Sequence, residues 1–496
     1  MVSRWLRALI RTRSRTYRFE AALTVIGFVA LARPLLELMM AGHPTSYTMA
    51  SLLNSATFYL HAFCLYSLVV ASATRQPPER VQGVVVVGVF AGIFPPILDA
   101  LLGGVGSGYY RYVLADFSSW HWSLFDPAFA SVGEGIVLWF TIVLVAIYVA
   151  EVTDSWLKTA AAAAAAYLVV MVLSTMSFSL SRAVLGLLPE NLATLPSIGT
   201  ATLNLIQLAI AQAAFLGARP RLARRLAARL LHALPFVLLV GLGSTYFRFL
   251  EPSGRTATVS FWLVVFGAAA VGQLAVMALV QNDAADEGGD SRSADSAFFV
   301  AVGALGVLSV LSVVERLGLM LALCWVGSVA YHARFYRGKR FFPTNYKIEG
   351  LWGWGAFSVG AYIDPMHDKP LPPAFLWGSL LVFGGFSLFN VFKDYKDIRS
   401  DHREGTQTLY VLALRRGIKL SRLHQRLTAA LAVCLLVPPA ALWAAGVDTV
   451  GAAACALAAL LPVLAVGGKP TTATVQRFFA SISAYVLACT LAIALS

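Results

Sequence analysis

The sequence predicts an all-α membrane protein that crosses the bilayer many times. Of its 496 residues, 58% are hydrophobic and only 13% are charged, whereas soluble globular proteins carry about 25% charged residues. The mean hydropathy is +0.72, and apolar runs of the roughly 20 residues needed for a span recur along the chain. This composition excludes an ordinary soluble enzyme, and it excludes a disordered chain, which requires low hydrophobicity.

The amino-terminal half contains six apolar runs, which predict a six-span membrane domain over residues 1–217. The runs lie at about 20–40, 48–73, 82–103, 132–151, 156–180 and 199–217. Arginines recur through residues 1–18 and predict a basic amphipathic segment on the cytoplasmic face. Further arginines make residues 218–231 a basic cytoplasmic linker, so both ends of this domain lie on the same side of the membrane.

The role of this first domain stays open at the level of sequence. Ionisable residues such as Glu37 and Asp99 stand in apolar surroundings, and intramembrane ionisable groups are candidates for function. For Asp99, which follows Pro95-Pro96, a structural hydrogen bond beside a helix kink is the preferred interpretation. The domain would bind a lipid acceptor, dock a partner or scaffold the second half.

The carboxy-terminal half contains nine further apolar runs, which predict a second domain over residues 232–496 and about 15 transmembrane helices in all. The runs lie at about 232–250, 259–280, 297–314, 317–333, 349–364, 371–391, 426–445, 450–467 and 473–495. Loops near 281–296, 334–348 and 392–425 would then be cytoplasmic, and the last two are rich in Lys and Arg. The net charge of +13 therefore indicates cytoplasmic loops beside anionic lipid and no nucleic-acid partner. The predicted location is a bacterial inner membrane.

Two of these loops repeat one acidic pattern, D-x-x-D-x-x-x-D. The first has Asn282 followed by Asp283, Asp286 and Asp290, and the second has Lys393 followed by Asp394, Asp397 and Asp401. At this spacing three carboxylates share one face of a helix. A single acidic loop is usually a solvated helix cap, but two matched loops on one membrane face indicate a paired site.

The chemistry of such a site follows from its charge. Clustered carboxylates repel one another unless cations lie among them. Hard oxygen ligands select Mg²⁺ or a similar ion, and protein-bound Mg²⁺ is commonly shared with substrate phosphates. The pattern therefore favours metal-assisted activation of a diphosphate leaving group.

These residues resemble the motifs of the UbiA superfamily of intramembrane prenyltransferases over about residues 230–496. N-D-A-A-D-E-G-G-D is similar to that family's N-D-x-x-D-x-x-x-D. The stretch from Lys393 to Leu409 is similar to its K-D-x-x-D-x-x-G-D-x-x-x-G-x-x-T-L. Residues 331–346 resemble the family's basic loop between the motifs.

The resemblance implies a nine-helix UbiA-like barrel around an apolar cavity that holds an isoprenoid tail, with the diphosphate at the cytoplasmic mouth. Asp283, Asp286 and Asp290 would hold one Mg²⁺, and Asp394, Asp397 and Asp401 a second, with one aspartate accepting the proton that the acceptor loses. Asn282 would orient the first cluster or coordinate the metal directly, and Lys393 would contact the diphosphate. Arg337, Lys339 and Tyr331 are further candidates for substrate binding. The partners implied are an isoprenyl diphosphate donor, a lipophilic acceptor and membrane lipid.

The chain also departs from the family pattern. Gln407 stands where the family often has Arg, Ser400 replaces a common Gly, and the Pro-Pro of the basic loop is absent. All the motif carboxylates remain, so diphosphate chemistry is expected while the identity of the acceptor stays open.

Three alternatives accompany the leading hypothesis of a Mg²⁺-dependent prenyltransferase. A terpene cyclase of the same family would quench the cation internally. A polyprenyl-phosphate glycosyl or phosphoribosyl transferase would use a sugar diphosphate donor. An ion-coupled transporter is the alternative of another class, but transporter carboxylates lie near the membrane midplane, whereas these lie at predicted helix ends.

Overall fold

A computed structural model describes residues 19–41, 49–102, 131–171, 176–187, 196–250, 257–287, 290–332, 343–362, 371–467 and 471–496. These residues are almost entirely helical and contain no β-strand, which confirms the all-α prediction. Contacts divide the chain into two compact units. The first is Met1–Arg225 with Gly289–Val313, and the second is Leu226–Gly288 with Val314–Ser496. The predicted division at residues 218–231 stays a prediction.

Besides the helical residues 220–225, the described part of the first unit is built from nine helices or helix segments. They are α1 (Phe19–Ala41), α2 (Met49–Thr74), α3 (Pro78–Ala91), α4 (Pro95–Leu101), α5 (Val132–Thr153), α6 (Trp156–Met171), α7 (Ser177–Leu185), α8 (Pro196–Gly217) and, later in the chain, α11 (Asp290–Leu311). Prolines begin α3, α4 and α8, where the missing proline N–H costs no intrahelical bond. The expected linker at 218–231 is largely helical, because α9 runs unbroken from Pro220 to Leu250.

A buried arginine organises the polar interior of the first unit. Arg33 of α1 pairs with Glu37 at 2.9 Å and with Glu134 of α5 at 2.6 Å, and it donates to the Tyr59 hydroxyl at 2.9 Å. Asp99 accepts the Gly133 amide at 2.7 Å, as expected for a structural hydrogen bond. Intramembrane charge is tolerated where every group finds a partner, and this network meets that condition.

The second unit contains the carboxy-terminal part of α9 and most of the remaining helices. They are α10 (Ala257–Glu287), α12 (Glu315–His332), α13 (Thr344–Tyr362), α14 (Pro373–Asp394), a 3₁₀ turn (Tyr395–Asp397), α15 (Ile398–Glu404), α16 (Leu409–Arg415), α17 (Leu420–Ala444), α18 (Thr449–Val466) and α19 (Thr472–Leu495). Within this unit α13 packs against α14, and α18 packs against α19.

Two glycines allow α13 and α14 to approach closely. A Cβ on Gly350 would overlap Ser387 and the Phe383 carbonyl, and one on Gly353 would meet Phe386 at 2.6 Å. Small residues at a helix contact let backbones approach, as is common in membrane helix pairs. The close contact places the first turn of α13 beside the last turn of α14.

Ten helices of the described part are long and apolar enough to cross a membrane, or eleven if the bent pair α3–α4 is one span. The chain is thus an integral membrane protein, but the prediction of about 15 spans exceeds this number. Within the described residues, the apolar parts of α6 (156–170) and α11 (295–311) are shorter than a full span. Helices form at the predicted spans 317–333 and 349–364, but their ends carry Glu315, Arg316, Lys347 and Glu349, and neither is among the candidates.

Candidate active site

The second acidic motif begins at the last turn of α14, where Asp394 is held by a tyrosine. The Tyr346 hydroxyl of α13 donates to Asp394 Oδ2 at 2.9 Å and accepts the Leu409 amide at 3.0 Å. Burial first, and then the charge of Asp394, raise the pKa of the Tyr346 hydroxyl. It therefore stays protonated and remains a donor to the carboxylate.

Lys393, the residue before Asp394, faces a carboxylate that the motif does not contain. Its Nζ lies 3.4 Å from Glu349 Oε1, one helical turn beyond Tyr346 on α13. The side chain of Tyr331, at the end of α12, interacts with Glu349 and lies near Asp394. Two adjacent residues of α14 are thus held by two residues of α13 that share one face.

The non-acidic part of the second motif has a structural role. Gly405 ends α15 with φ +75°. This left-handed conformation is strained for residues that carry a Cβ, so glycine is favoured there. The Thr408 hydroxyl accepts the Val411 amide and caps α16, as threonine commonly does at this position. These two residues turn the chain so that the Leu409 amide reaches Tyr346.

An aromatic cluster supports this turn from the other side. The Tyr410 hydroxyl lies 2.9 Å from His424 Nδ1, and His424 Nε2 lies 2.9 Å from the Val466 carbonyl. Because the carbonyl is only an acceptor, His424 Nε2 donates to it, and the Tyr410 hydroxyl is within hydrogen-bond distance of the other ring nitrogen. The ring of Tyr395 stacks on His424 with centroids 4.4 Å apart. The segment after Asp394 is therefore anchored to α17 and α18.

The other two aspartates of the motif occupy different surroundings. Asp397 ends the 3₁₀ turn, pairs with Lys396 at 2.9 Å and has a 40% exposed side chain. Asp401 lies in α15, and its negative charge acts on Asp394. Among the residues that the structure describes, no three His, Cys, Asp or Glu side chains converge as a metal-binding group. The assignment of Mg²⁺ to Asp394, Asp397 and Asp401 stays a prediction.

The first motif begins at the end of α10. Asp283 and Asp286 are in the last two turns of that helix, and Asp290 is the first residue of α11. Their side chains lie outside the described part of the chain, as do Arg337 and Lys339. Asn282 is half-buried. Its neighbour Gln281 accepts the Ser328 hydroxyl of α12 at 2.8 Å, which anchors the end of α10 within the second unit.

An apolar pocket of about 130 Å³ lies along α14 in the same unit. Its walls include Tyr246 of α9, Gly385 and Phe389 of α14, Pro438 of α17 and Tyr485 of α19. The Tyr246 hydroxyl donates to the Ala374 carbonyl, and the Tyr485 hydroxyl donates to the Leu435 carbonyl. Both tyrosine hydroxyls therefore have partners, and both residues line the pocket. At 1.5 Å per residue, Phe389 lies about 7.5 Å before Asp394 along the helix axis.

Sequence reasoning missed Glu349, Tyr346 as a partner of Asp394, and the support from His424. One signal for Glu349 was available, because an ionisable residue at the start of a predicted span is a candidate for function. The partners of Tyr346 and His424 are distant in sequence and follow only from helix packing.

One of three comparisons with known proteins gives a match. Residues 249–484 match the model of the UbiA prenyltransferase family. Neither the search of curated proteins nor the search of solved structures gives a match. The matched range contains both acidic motifs and the α13–α14 contact, and it confirms the resemblance seen in the sequence. Over residues 249–484, just under half of its length, the chain is therefore similar to the UbiA prenyltransferase family, which supports a membrane prenyltransferase-type function.

Proposed function

We propose that the protein is a Mg²⁺-dependent intramembrane prenyltransferase, which moves an isoprenyl group from its diphosphate to a lipophilic acceptor. The observation that supports this most is that charged residues and an apolar pocket lie next to each other along one helix. Lys393 and Asp394 end α14, and the apolar pocket follows the preceding turns of the same helix. An isoprenyl diphosphate has the same division, with a charged head and an apolar tail.

The described carboxylates fit a metal that is shared with substrate. Mg²⁺ usually keeps several waters and takes one or two protein carboxylates together with substrate phosphates. Asp394 and Asp401 act on each other electrostatically, so a cation near them would relieve their repulsion. A preformed group of three carboxylates is not needed for such a site.

Each predicted residue then has a role in the proposal. The metal-holding residues would be Asp283, Asp286 and Asp290 for one ion and Asp394, Asp397 and Asp401 for another. Asn282 orients the first group, and Lys393 contacts the diphosphate. Tyr331, Arg337 and Lys339 are further candidates for binding the diphosphate.

The chain's own groups would favour cleavage of the allylic C–O bond. Lys393 stabilises the negative charge that develops on the departing diphosphate. The apolar walls exclude water, which would otherwise capture the allylic cation. An aspartate accepts the proton that the acceptor loses. Bound Mg²⁺ would supply Lewis-acid neutralisation of the diphosphate charge.

The volume of the pocket indicates how much of the isoprenoid tail it can hold. A cavity of roughly 150 Å³ lined by aliphatic and aromatic side chains holds a benzene molecule. The observed volume of about 130 Å³ is therefore suited to about one five-carbon unit of a longer chain. The proposed location is the bacterial inner membrane, with the motifs on the cytoplasmic side where soluble diphosphates are available.

The test is a product analysis with the purified full-length protein. It is incubated with Mg²⁺ and isoprenyl diphosphates of several lengths, with and without a membrane lipid extract. A prenylated lipid that forms only with the extract supports the proposal. A hydrocarbon released without any acceptor would instead identify a cyclase, and no consumption of any isoprenyl diphosphate would overturn the proposal.

A further inference from the structure

Lys393 of α14 and Glu349 of α13 form an ion pair. Their charged atoms are 3.4 Å apart, and the side chains are 36% and 18% exposed. The pair is thus partly open to a ligand that approaches from outside. A diphosphate brings several negative charges, and a lysine that binds it must turn away from Glu349 or share its charge with it.

The backbone next to Glu349 is packed against α14. The neighbouring Gly350 is packed against Phe383 and Ser387 of α14, so this part of α13 is held against that helix. The Glu349 side chain also interacts with Tyr331. The negative charge of Glu349 therefore stays close to the position where Lys393 would meet a diphosphate.

We propose that Glu349 is a positioning residue that competes with diphosphate for Lys393. It holds the lysine in the substrate-free protein, weakens the binding of diphosphate and takes the lysine back when the product diphosphate leaves. This inference rests on the proposed function, because it assigns the diphosphate to Lys393. It adds a residue outside both acidic motifs and gives it an effect opposite in sign to that of a binding residue.

The experiment measures the binding of inorganic pyrophosphate in the presence of Mg²⁺ to the purified full-length protein by calorimetry. A partly exposed ion pair has a modest energy, so Glu349→Gln should lower the dissociation constant about two- to fivefold. Glu315→Gln is the matched control, since Glu315 is an exposed residue at the start of α12, and it should leave the constant unchanged. Glu349→Asp, which shortens the side chain, should give a smaller decrease.

A double-mutant cycle distinguishes action through Lys393 from a general change of charge. In a Lys393→Met background the effect of Glu349→Gln should disappear. In steady-state assays Glu349→Gln should lower KM for the isoprenyl diphosphate, whereas a merely structural role would lower kcat and the yield of folded protein together. Pyrophosphate binding that is equal or weaker in Glu349→Gln overturns the inference, as does an unchanged effect in the Lys393→Met background.

The outcomes also separate this inference from the proposed function. Wild-type protein that neither binds pyrophosphate with Mg²⁺ nor consumes isoprenyl diphosphate overturns the proposed function, and the inference with it. Wild-type protein that does both, with no gain in affinity for Glu349→Gln or Glu349→Asp, overturns the inference alone. If Glu349→Gln does not fold, Glu349→Asp decides the result.

Discussion

The hydroxyl of Tyr346 donates a 2.9 Å hydrogen bond to Asp394, and the same oxygen accepts the Leu409 amide. One phenol thereby joins the start of α13, the end of α14 and the start of α16. It orients a carboxylate of the second acidic motif, and Asp394 in turn lies next to the lysine proposed to bind diphosphate.

Removal of the Tyr346 hydroxyl should impair the reaction without loss of the fold. Tyr346→Phe keeps the ring but leaves Asp394 and the Leu409 amide without this partner. One hydrogen bond to a charged group contributes about 1.5–3 kcal/mol, so we expect kcat/KM for the isoprenyl diphosphate to fall at least about tenfold. Tyr148→Phe, which removes a hydroxyl bonded to Gln76 in the first unit, should stay within about twofold. Equal activity of both variants would contradict the assigned role.

The contact of α13 with α14 should depend on Gly353. A methyl group there meets the Phe386 ring at 2.6 Å, and overpacking of this kind costs about 1–3 kcal/mol. Gly353→Ala should therefore lower the thermal unfolding midpoint in detergent and raise KM. Gly384→Ala is the control, because nothing lies within 4 Å of its added Cβ, and it should be neutral or slightly stabilising. A tolerated Gly353→Ala would show that the helices are not as close as described.

The pocket should influence which isoprenyl chains are accepted. Gly385 lines it, and the adjacent Gly384 is absent from its walls. Gly385→Leu would place a side chain in a space suited to about five carbons, so the preference should shift toward shorter diphosphates. The comparison is kcat/KM for a series of chain lengths, and Gly384→Leu should keep the wild-type order. If Gly385→Leu also keeps that order, the tail lies elsewhere.

Arg219 should stabilise the first unit. It lies 2.9 Å from Asp295 of α11 and 3.3 Å from Glu79 of α3, and its guanidinium stacks on Phe215 at 3.9 Å. Removing one partner from a buried ion pair costs about 3–5 kcal/mol. Arg219→Met should lower the thermal midpoint clearly, whereas Arg221→Met, at an exposed position, should not. Equal midpoints would mean that the network contributes nothing to stability.

Asp295 should give stability a measurable pH dependence. Burial raises the pKa of Asp295 to about 6, although Arg219 opposes this, whereas an unfolded aspartate titrates near pH 4. The folded state therefore binds a proton on the Asp295 carboxyl more tightly than the unfolded state does. The contribution of Asp295 to the free energy of unfolding falls as pH rises from about 4 to about 6. Asp295→Asn should reduce the change of the thermal midpoint over this interval. An identical pH profile in Asp295→Asn would contradict a raised pKa for the Asp295 carboxyl.

Sequence reasoning was strongest where a pattern is local. Apolar runs predicted most of the helices, and the two D-x-x-D-x-x-x-D motifs together pointed to the family whose model matches residues 249–484. It was weaker for span number in the described part of the chain, because hydropathy runs do not show that the apolar parts of α6 and α11 are shorter than a full span. It could not find the Arg33–Glu134 pair, whose members are 101 residues apart in the chain. Glu349 was missed for the same reason, since only the packing of α13 on α14 brings it to Lys393.

Release of diphosphate tests the central claim most directly. Purified wild-type protein, Asp286→Ala and Asp397→Ala are each given Mg²⁺ and an isoprenyl diphosphate, and released diphosphate is measured over time, with Glu315→Ala as the control. We predict release by the wild type and the control that stops when Mg²⁺ is chelated, and a loss of at least about a hundredfold in both aspartate variants. Full release by both aspartate variants, or release by the wild type that continues without Mg²⁺, would contradict the proposed chemistry.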